Sequence, residues 1–297
     1  MNFRVEGIFP ALLTPFTKGG KSIDFEKAIA LAERLAKQGV HGIFPCGTTG
    51  EGMLQSVAER KQLIAELVKA VGKKLKVIAH TGAFDTATAI ELTEHAHEVG
   101  AFAAGVVTPG FHGYDNAALK THYVAVAKSV PKFPILLYNI PGCARNAISP
   151  GLVFDLAEEC DNVVGMKDSG GSIVNLNAVL MGAPKNFSVI NGVDEYTYQA
   201  YCAGAAGSVS STANVVPELF LGIYKAVKEG NHKQALKVQH QLTQACGMFQ
   251  YGAMVGYYKE ALRIRGFDPG YVRPPQRELT KDERKALEKG MKKAGLV

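Results

Sequence analysis

The stretch Leu12–Gly20, "LLTPFTKGG", follows the first apolar run of the chain and decides between two folds. A doubly wound dinucleotide-binding sheet carries G-x-G-x-x-G at this turn, because glycines let the backbone and a helix N-terminus approach a pyrophosphate. Here a proline and bulky apolar side chains fill that place, and the only glycines come after Lys18. Outward from this turn, short β-branched runs alternate with helical patterns. Candidate strands are Gly7–Phe16, Gly42–Gly47, Lys76–Gly82 and Ala103–Pro109, then Pro134–Pro141, Val163–Ser169, Phe187–Asp194 and Gly207–Thr212. Stretches such as "DFEKAIALAERLAKQG" and "DTATAIELTEHAHEVG" space their apolar residues as a helix does and end in glycine. Such alternation implies a parallel sheet with helices on its faces. Eight units is the number that closes a barrel. The expectation is an α/β fold, a (β/α)8 TIM barrel over residues 1–230, with a helical extension over 231–297 packed on it.

Composition removes several function classes. Of 297 residues, 47% are apolar and 20% charged, as in a water-soluble enzyme or binding protein. No apolar run approaches the roughly 18 residues of a membrane-spanning helix. The start "MNFRVEGIFP" lacks the charged and apolar regions of a signal peptide, so a cytoplasmic location is expected. The net charge of +6 invites a nucleic-acid reading, yet Lys281–Lys293 alone holds six basic and three acidic residues. Half of the excess therefore belongs to one solvated helix with mixed charges, and no nucleic acid or membrane is expected as a partner. The five cysteines are scattered, never C-x-x-C, and His95 and His97 point to different faces of one helix. No disulfide framework and no metal site follow.

A barrel gathers its chemistry at the C-terminal ends of its strands. Five polar or glycine-rich stretches fall there: "CGTTGEG" (Cys46–Gly52), "TPGF" (Thr108–Phe111), "YNIPG" (Tyr138–Gly142), "MKDS" (Met166–Ser169) and "NGVDE" (Asn191–Glu195). Lys167 is the centre. A buried ammonium costs several kcal/mol unless it is paired or gives up its proton. Pairing with Asp168 is the structural alternative, but neighbours on a strand point to opposite faces. A neutral amine facing the barrel interior attacks a ketone to give an iminium, which stabilises an adjacent carbanion. Tyr138, one strand over, offers a phenol for proton transfer. Two hydroxyls and free backbone N–H groups in "GTTGEG" suit a carboxylate or phosphate, although the loop lacks the lysine of a nucleotide-binding loop.

In this order "GTTGEG", the TP after strand four, "YNIP", "GMKDS" and "STANVVPE" resemble the dihydrodipicolinate synthase / N-acetylneuraminate lyase family of class I aldolases. The resemblance runs through essentially the whole chain. It implies a homotetramer of two tight dimers, with no metal or dissociable cofactor, the substrate itself being held as an imine on the lysine. Lys167 would bind the keto group of pyruvate, Tyr138 would shuttle protons, and Thr48 and Thr49, beside Gly47, would hold the carboxylate and relay protons. Two positions depart from the synthases. Gly110 and Phe111 stand where those enzymes have a tyrosine pair, leaving Tyr114 as a substitute phenol. Cys143 stands in an arginine position, with Arg145 displaced by two. "NGVDE" looks like the lyase branch, whose glycine and acidic pair bind sugar hydroxyls. Gly192, Asp194 and Glu195 carry that over, with Ser169 and Ser211 as further contacts. The alternative for the acidic pair is helix capping. The expected function is a Schiff-base aldolase cleaving a 2-keto-3-deoxy sugar acid or sialic-acid-like compound to pyruvate and an aldehyde. The alternatives are 4-hydroxy-tetrahydrodipicolinate synthase, a dehydratase using the same lysine, and a non-catalytic 2-oxo-acid-binding relative.

Overall fold

The computed structural model describes residues 3–252 and 254–297. Eight strands form one parallel sheet: β1 (Gly7–Pro10), β2 (Gly42–Ile43), β3 (Lys76–His80), β4 (Ala103–Val107), β5 (Ile135–Asn139), β6 (Val163–Asp168), β7 (Ser188–Asn191) and β8 (Gly207–Ser210). The hydrogen-bonded order runs β1-β8-β7-β6-β5-β4-β3-β2. Between its ends His41 N donates to Ile8 O (3.0 Å), Phe44 N to Pro10 O (2.9 Å) and Leu12 N to Phe44 O (3.0 Å), so β2 meets β1 and the barrel closes. Helices α1 (Phe25–Lys37), α2 (Val57–Val71), α3 (Thr86–Glu98) and α4 (Asn116–Ser129) follow the first four strands. The short α5 (Pro141–Ala144) precedes α6 (Pro150–Glu159), and α7 (Ile173–Gly182), α8 (Thr197–Ala203) and α9 (Pro217–Lys228) complete the ring. Beyond it lie α10 (His232–Met248), α11 (Val255–Ile264) and α12 (Lys281–Lys293).

The helices start where the sequence supplies caps. Asp24, Asp85 and Asp115 accept from the backbone N–H groups of Lys27, Thr88 and Ala118, and Ser56 with Glu59 forms a reciprocal capping box. On α1, Ala28, Leu31, Ala32 and Leu35 repeat at helical spacing and are fully buried against the sheet. The strands serve two cores, because alternate side chains point outward to the helices and inward to the barrel axis. Leu137, Val106 and Met166 lie in the outer core, while Leu136, Tyr138, Phe9 and Val209 fill the interior. The strands are shorter than the sequence predicts. The expected Gly7–Phe16 strand ends at Pro10, and Phe16 instead makes antiparallel bridges to Ile23 and Tyr271. The other strands that end early also hand their polar ends to loops, since rim residues that face a cavity leave the ladder.

One irregularity sets the phase of the interior. Ile135 pairs with Val163, but Leu136 pairs with Gly165, so Val164 is an extra residue in β6. Past this bulge Tyr138 stands opposite Lys167, and both face inward. Without it, Met166, which belongs to the outer core, would occupy the register beside Tyr138. Bulges re-aim side chains in this way beside functional sites.

The segment beyond α9 is tied to the rim by a buried ion pair. Lys259 on α11 is fully buried, and its Nζ donates to Glu51 Oε1 (2.8 Å), Thr14 O (2.7 Å) and Tyr271 O (2.6 Å). Burial pushes Lys259 down and Glu51 up from their ordinary values, and each is opposed by the other's charge. Removing one partner strands the other charge, a loss of about 3–5 kcal/mol. Lys259→Met is expected to lower the urea midpoint by a corresponding amount, and Lys259→Met with Glu51→Gln to recover part of it. A single variant with an unchanged midpoint would contradict this role.

Candidate functional site

A cavity of about 560 Å³ opens at the C-terminal rim of the barrel. Lys167 projects into it from β6, only 4% exposed, with Nζ 3.7 Å from the centroid of the Tyr138 ring and 4.6 Å from that of Phe44. Among the described residues no carboxylate lies within ion-pair distance of this amine. Asp168 does not pair with it. Its Oδ1 accepts instead from Asn139 Nδ2 (2.8 Å) and Gly170 N (2.9 Å) on the other face of the strand. The pairing alternative raised by the sequence therefore fails on strand geometry.

Tyr138 and Thr48 touch, with 3.3 Å between their hydroxyl oxygens. Thr49 Oγ1 lies 2.5 Å from Ser211 Oγ, across the mouth from the loop after β8. The Cys46–Gly52 loop holds its shape through its own backbone. Cys46 and Glu51 adopt left-handed conformations, and a side chain at Gly52 would strike the Cys46 carbonyl. Thr14 Oγ1 and Gln55 Nε2 both donate to Gly50 O (2.7 Å each). Among the described residues the backbone N–H groups of Thr48 and Thr49 make no hydrogen bond, so they remain available to an anion.

On the opposite wall stand Gly192, Asp194 and Glu195, with Ser169 beside them. Asp194 Oδ2 accepts from Ser210 Oγ (2.8 Å), and burial raises its carboxyl to about 6 against hydrogen bonds from Thr212 and Ser210 that favour the ion. Neither Asp194 nor Glu195 makes a capping hydrogen bond to the short helical turns that follow. Among the described residues Lys167 is the only cationic side chain lining this cavity.

Nine of the ten residues singled out from the sequence line one cavity: Thr48, Thr49, Tyr138, Lys167, Ser169, Gly192, Asp194, Glu195 and Ser211. Gly47 does not; it lines a second chamber of about 320 Å³ that shares Thr48, Ile140, Cys143 and Gln276 with the first. Tyr114, the substitute phenol, lines neither chamber, and Phe111 points outward at 78% exposure. Arg145 is likewise outside both, its Nη1 directed at the Phe111 carbonyl. Sequence reasoning missed the contribution of the C-terminal helices, since Cys246, Val255 and Tyr258 form part of the wall. No motif marks them. His80, which lines the second chamber, was not singled out either, although a histidine in an apolar strand was an available signal.

The raised carboxyl of Asp194 carries a prediction. Its native value of about 6 lies above the ordinary 3.8, so between those values the folded state keeps a proton that the unfolded chain releases. Stability therefore falls as pH rises through this window, and the penalty is complete above it. In thermal unfolding, Asp194→Asn should match the parent near pH 4 and exceed it at pH 7.5. Parallel curves at both pH values would contradict the assignment.

The model of the dihydrodipicolinate synthetase family matches residues 4–294. A 4-hydroxy-tetrahydrodipicolinate synthase of Methanopyrus kandleri is 35% identical over 297 residues, covering 100% of this chain and 99% of that one. The crystal structure of dihydrodipicolinate synthase from Aquifex aeolicus superposes with a TM-score of 0.93 at 32% identity, covering 98% of this chain and 99% of the other. A prophage protein of the same family from E. coli K12, solved in complex with pyruvate, gives 0.93 at 29% identity over 98% and 99% of the two chains.

Proposed function

Because this chain belongs to the dihydrodipicolinate synthetase family of pyruvate-dependent carbon–carbon lyases, we propose that Lys167 forms the Schiff base on which its aldolase chemistry runs. Enzymes of this family hold pyruvate on a lysine and use no metal or external cofactor. The observation that carries the assignment is the Lys167 amine, buried among aromatic rings with no carboxylate partner among the described residues. The neutral amine is the form that attacks a ketone, and no ion pair among the described residues holds its proton in place. Lys167 Nζ adds to the C2 carbonyl of pyruvate, and loss of water leaves an iminium. The substrate carboxylate lies against the free N–H groups of Thr48 and Thr49. Tyr138, having given its proton to the departing water, takes up the C3 proton to leave an enamine, whose C3 attacks the aldehyde carbon while the carbonyl oxygen takes that proton back from Tyr138. Thr48, in contact with the phenol, passes protons to and from it. Cleavage is the same path reversed, and hydrolysis of the iminium frees pyruvate.

The second reactant in this proposal is a hydroxylated aldehyde, making the substrate a 2-keto-3-deoxy sugar acid or a sialic-acid-like compound. Asp194 and Glu195 accept from hydroxyl groups and repel a second carboxylate. Cys143 supplies no guanidinium fork, and Arg145 is turned to the Phe111 carbonyl. The second reading is 4-hydroxy-tetrahydrodipicolinate synthase, with aspartate semialdehyde as the aldehyde. The comparisons support it better than the first, since whole-length relatives bear that name. The proposal includes a homotetramer, to which the exposed Met53, Phe84 and Phe111 at the rim lend apolar surface. It also keeps residues 1–230 as the catalytic barrel, with 231–297 as its extension, in a cytoplasmic enzyme. The described chain has no helix long and apolar enough to cross a membrane.

A substrate panel separates the two readings. With pyruvate as donor, kcat/KM for glyceraldehyde, erythrose or N-acetylmannosamine should exceed that for aspartate semialdehyde. A preference for aspartate semialdehyde above ~100-fold, about 2.7 kcal/mol of transition-state discrimination, would make the synthase the answer.

A further inference from the structure

His80 ends β3 inside the barrel, 2% exposed, and the catalysis described above leaves it without a role. Its ring stands edge-on to Tyr138 with centroids 5.7 Å apart, and it lines the second chamber together with Gly47, Thr48 and Cys143. The tautomer follows from its neighbour. Arg60, itself buried, brings Nη2 within 3.2 Å of His80 Nδ1 while bonding the carbonyls of His80 (2.8 Å) and Gly82 (2.9 Å). Both Nη2 hydrogens point to those carbonyls, but a guanidinium carries donors only, so a proton on Nδ1 would face an N–H at 3.2 Å; the ring proton is therefore placed on Nε2. Burial and the nearby charges of Arg60 and Lys167 push the ring well below its ordinary value, which keeps it neutral. Among the described residues Nε2 has no hydrogen-bond partner. The Cys46 carbonyl stands near enough to favour the ring proton but makes no hydrogen bond of ordinary geometry with it. A buried N–H without an acceptor is a costly feature that a ligand can relieve.

We propose that the chamber beside Thr48 takes the carbonyl end of the aldehyde, and that His80 Nε2–H donates to its oxygen. This rests on the Schiff-base reading of Lys167 and extends it to the second reactant. As the enamine carbon bonds to the aldehyde carbon, the carbonyl π pair moves onto the oxygen. His80 keeps its proton and stabilises that charge by hydrogen bonding, while the proton that neutralises the oxygen comes from Tyr138. A neutral imidazole suits this task, because it polarises a carbonyl without bringing a second cation beside the Lys167 iminium. The rim supplies no phenol for that oxygen from Phe111 or Tyr114 within this chain.

The test separates the two reactants. His80→Phe keeps an aromatic ring against Phe44 and Tyr138 and removes the donor; His80→Gln restores an N–H at similar reach. In borohydride trapping with pyruvate alone, both variants should react within about twofold of the parent. In turnover with pyruvate plus glyceraldehyde or aspartate semialdehyde, His80→Phe should lose tenfold or more in kcat/KM for the aldehyde, and His80→Gln should regain most of it. Full turnover in His80→Phe would overturn the proposal, as would an equal loss in pyruvate trapping, which would assign His80 to the lysine site. Absence of trapping in the parent would instead remove the Schiff-base reading. Should His80→Phe fail to fold, nitrogen-15 spectra of the parent's imidazoles decide, with His80→Gln giving the assignment. The His80 Nε2–H resonance should move when glyceraldehyde is added to pyruvate-loaded enzyme, and a stationary signal would overturn the proposal.

Discussion

The buried contact between Lys259 and Glu51 joins three parts of the chain that are far apart in sequence. Lys259 reaches the loop after β1 through Thr14 O, the loop after β2 through Glu51, and the final segment through Tyr271 O. Arg273 adds a second tie, its backbone N–H donating to Glu51 Oε2 (2.8 Å) and its guanidinium gripping Glu59 at the start of α2. The loop held in this way carries Thr48 and Thr49, with Cys46 and Glu51 in left-handed backbone. Such backbone costs of order 1–3 kcal/mol per residue and persists only where the surroundings over-determine it. The ion pair is part of that over-determination. The C-terminal helices therefore hold the rim in shape and also contribute wall to the cavity.

Charge is distributed in the cavity according to the same logic. The described lining has one amine, Lys167, set against the faces of Tyr138 and Phe44, and two carboxyls, Asp194 and Glu195, that follow the neighbouring strand β7. Aromatic faces attract a cation but offer no proton acceptor of carboxylate strength, so the amine is not locked in an ion pair. Asp168, the residue that could have locked it, is held on the other side of the strand by Asn139 and Gly170. The bulge at Val164 matters for this reason: it decides which residue of β6 faces the axis, and hence that the lysine and the tyrosine share one space.

Much of this was legible in the sequence where a local rule applies. Short β-branched runs alternating with amphipathic helical patterns that end in glycine gave eight units, and the absence of glycines at Leu12–Phe16 argued against an open dinucleotide sheet. Lys167 stood out because an ammonium contradicts an apolar strand. What stayed hidden depends on contacts distant in sequence. The strand ends were read too long because rim residues keep a β-like composition after leaving the ladder, as Phe16 does. The outward turn of Phe111 and Arg145 follows from left-handed backbone at both residues, which composition does not reveal. The state of His80 depends on Arg60, twenty positions earlier on a different element.

The central claim is that Lys167 is the nucleophile, left without an ion-pair partner among the described residues. Reduction with borohydride in the presence of pyruvate, followed by peptide mass mapping, tests it most directly. The account predicts one added reduced pyruvyl group, located on the peptide that contains Lys167 and absent from Lys167→Ala. An unmodified Lys167, or equal labelling of the alanine variant, would contradict it.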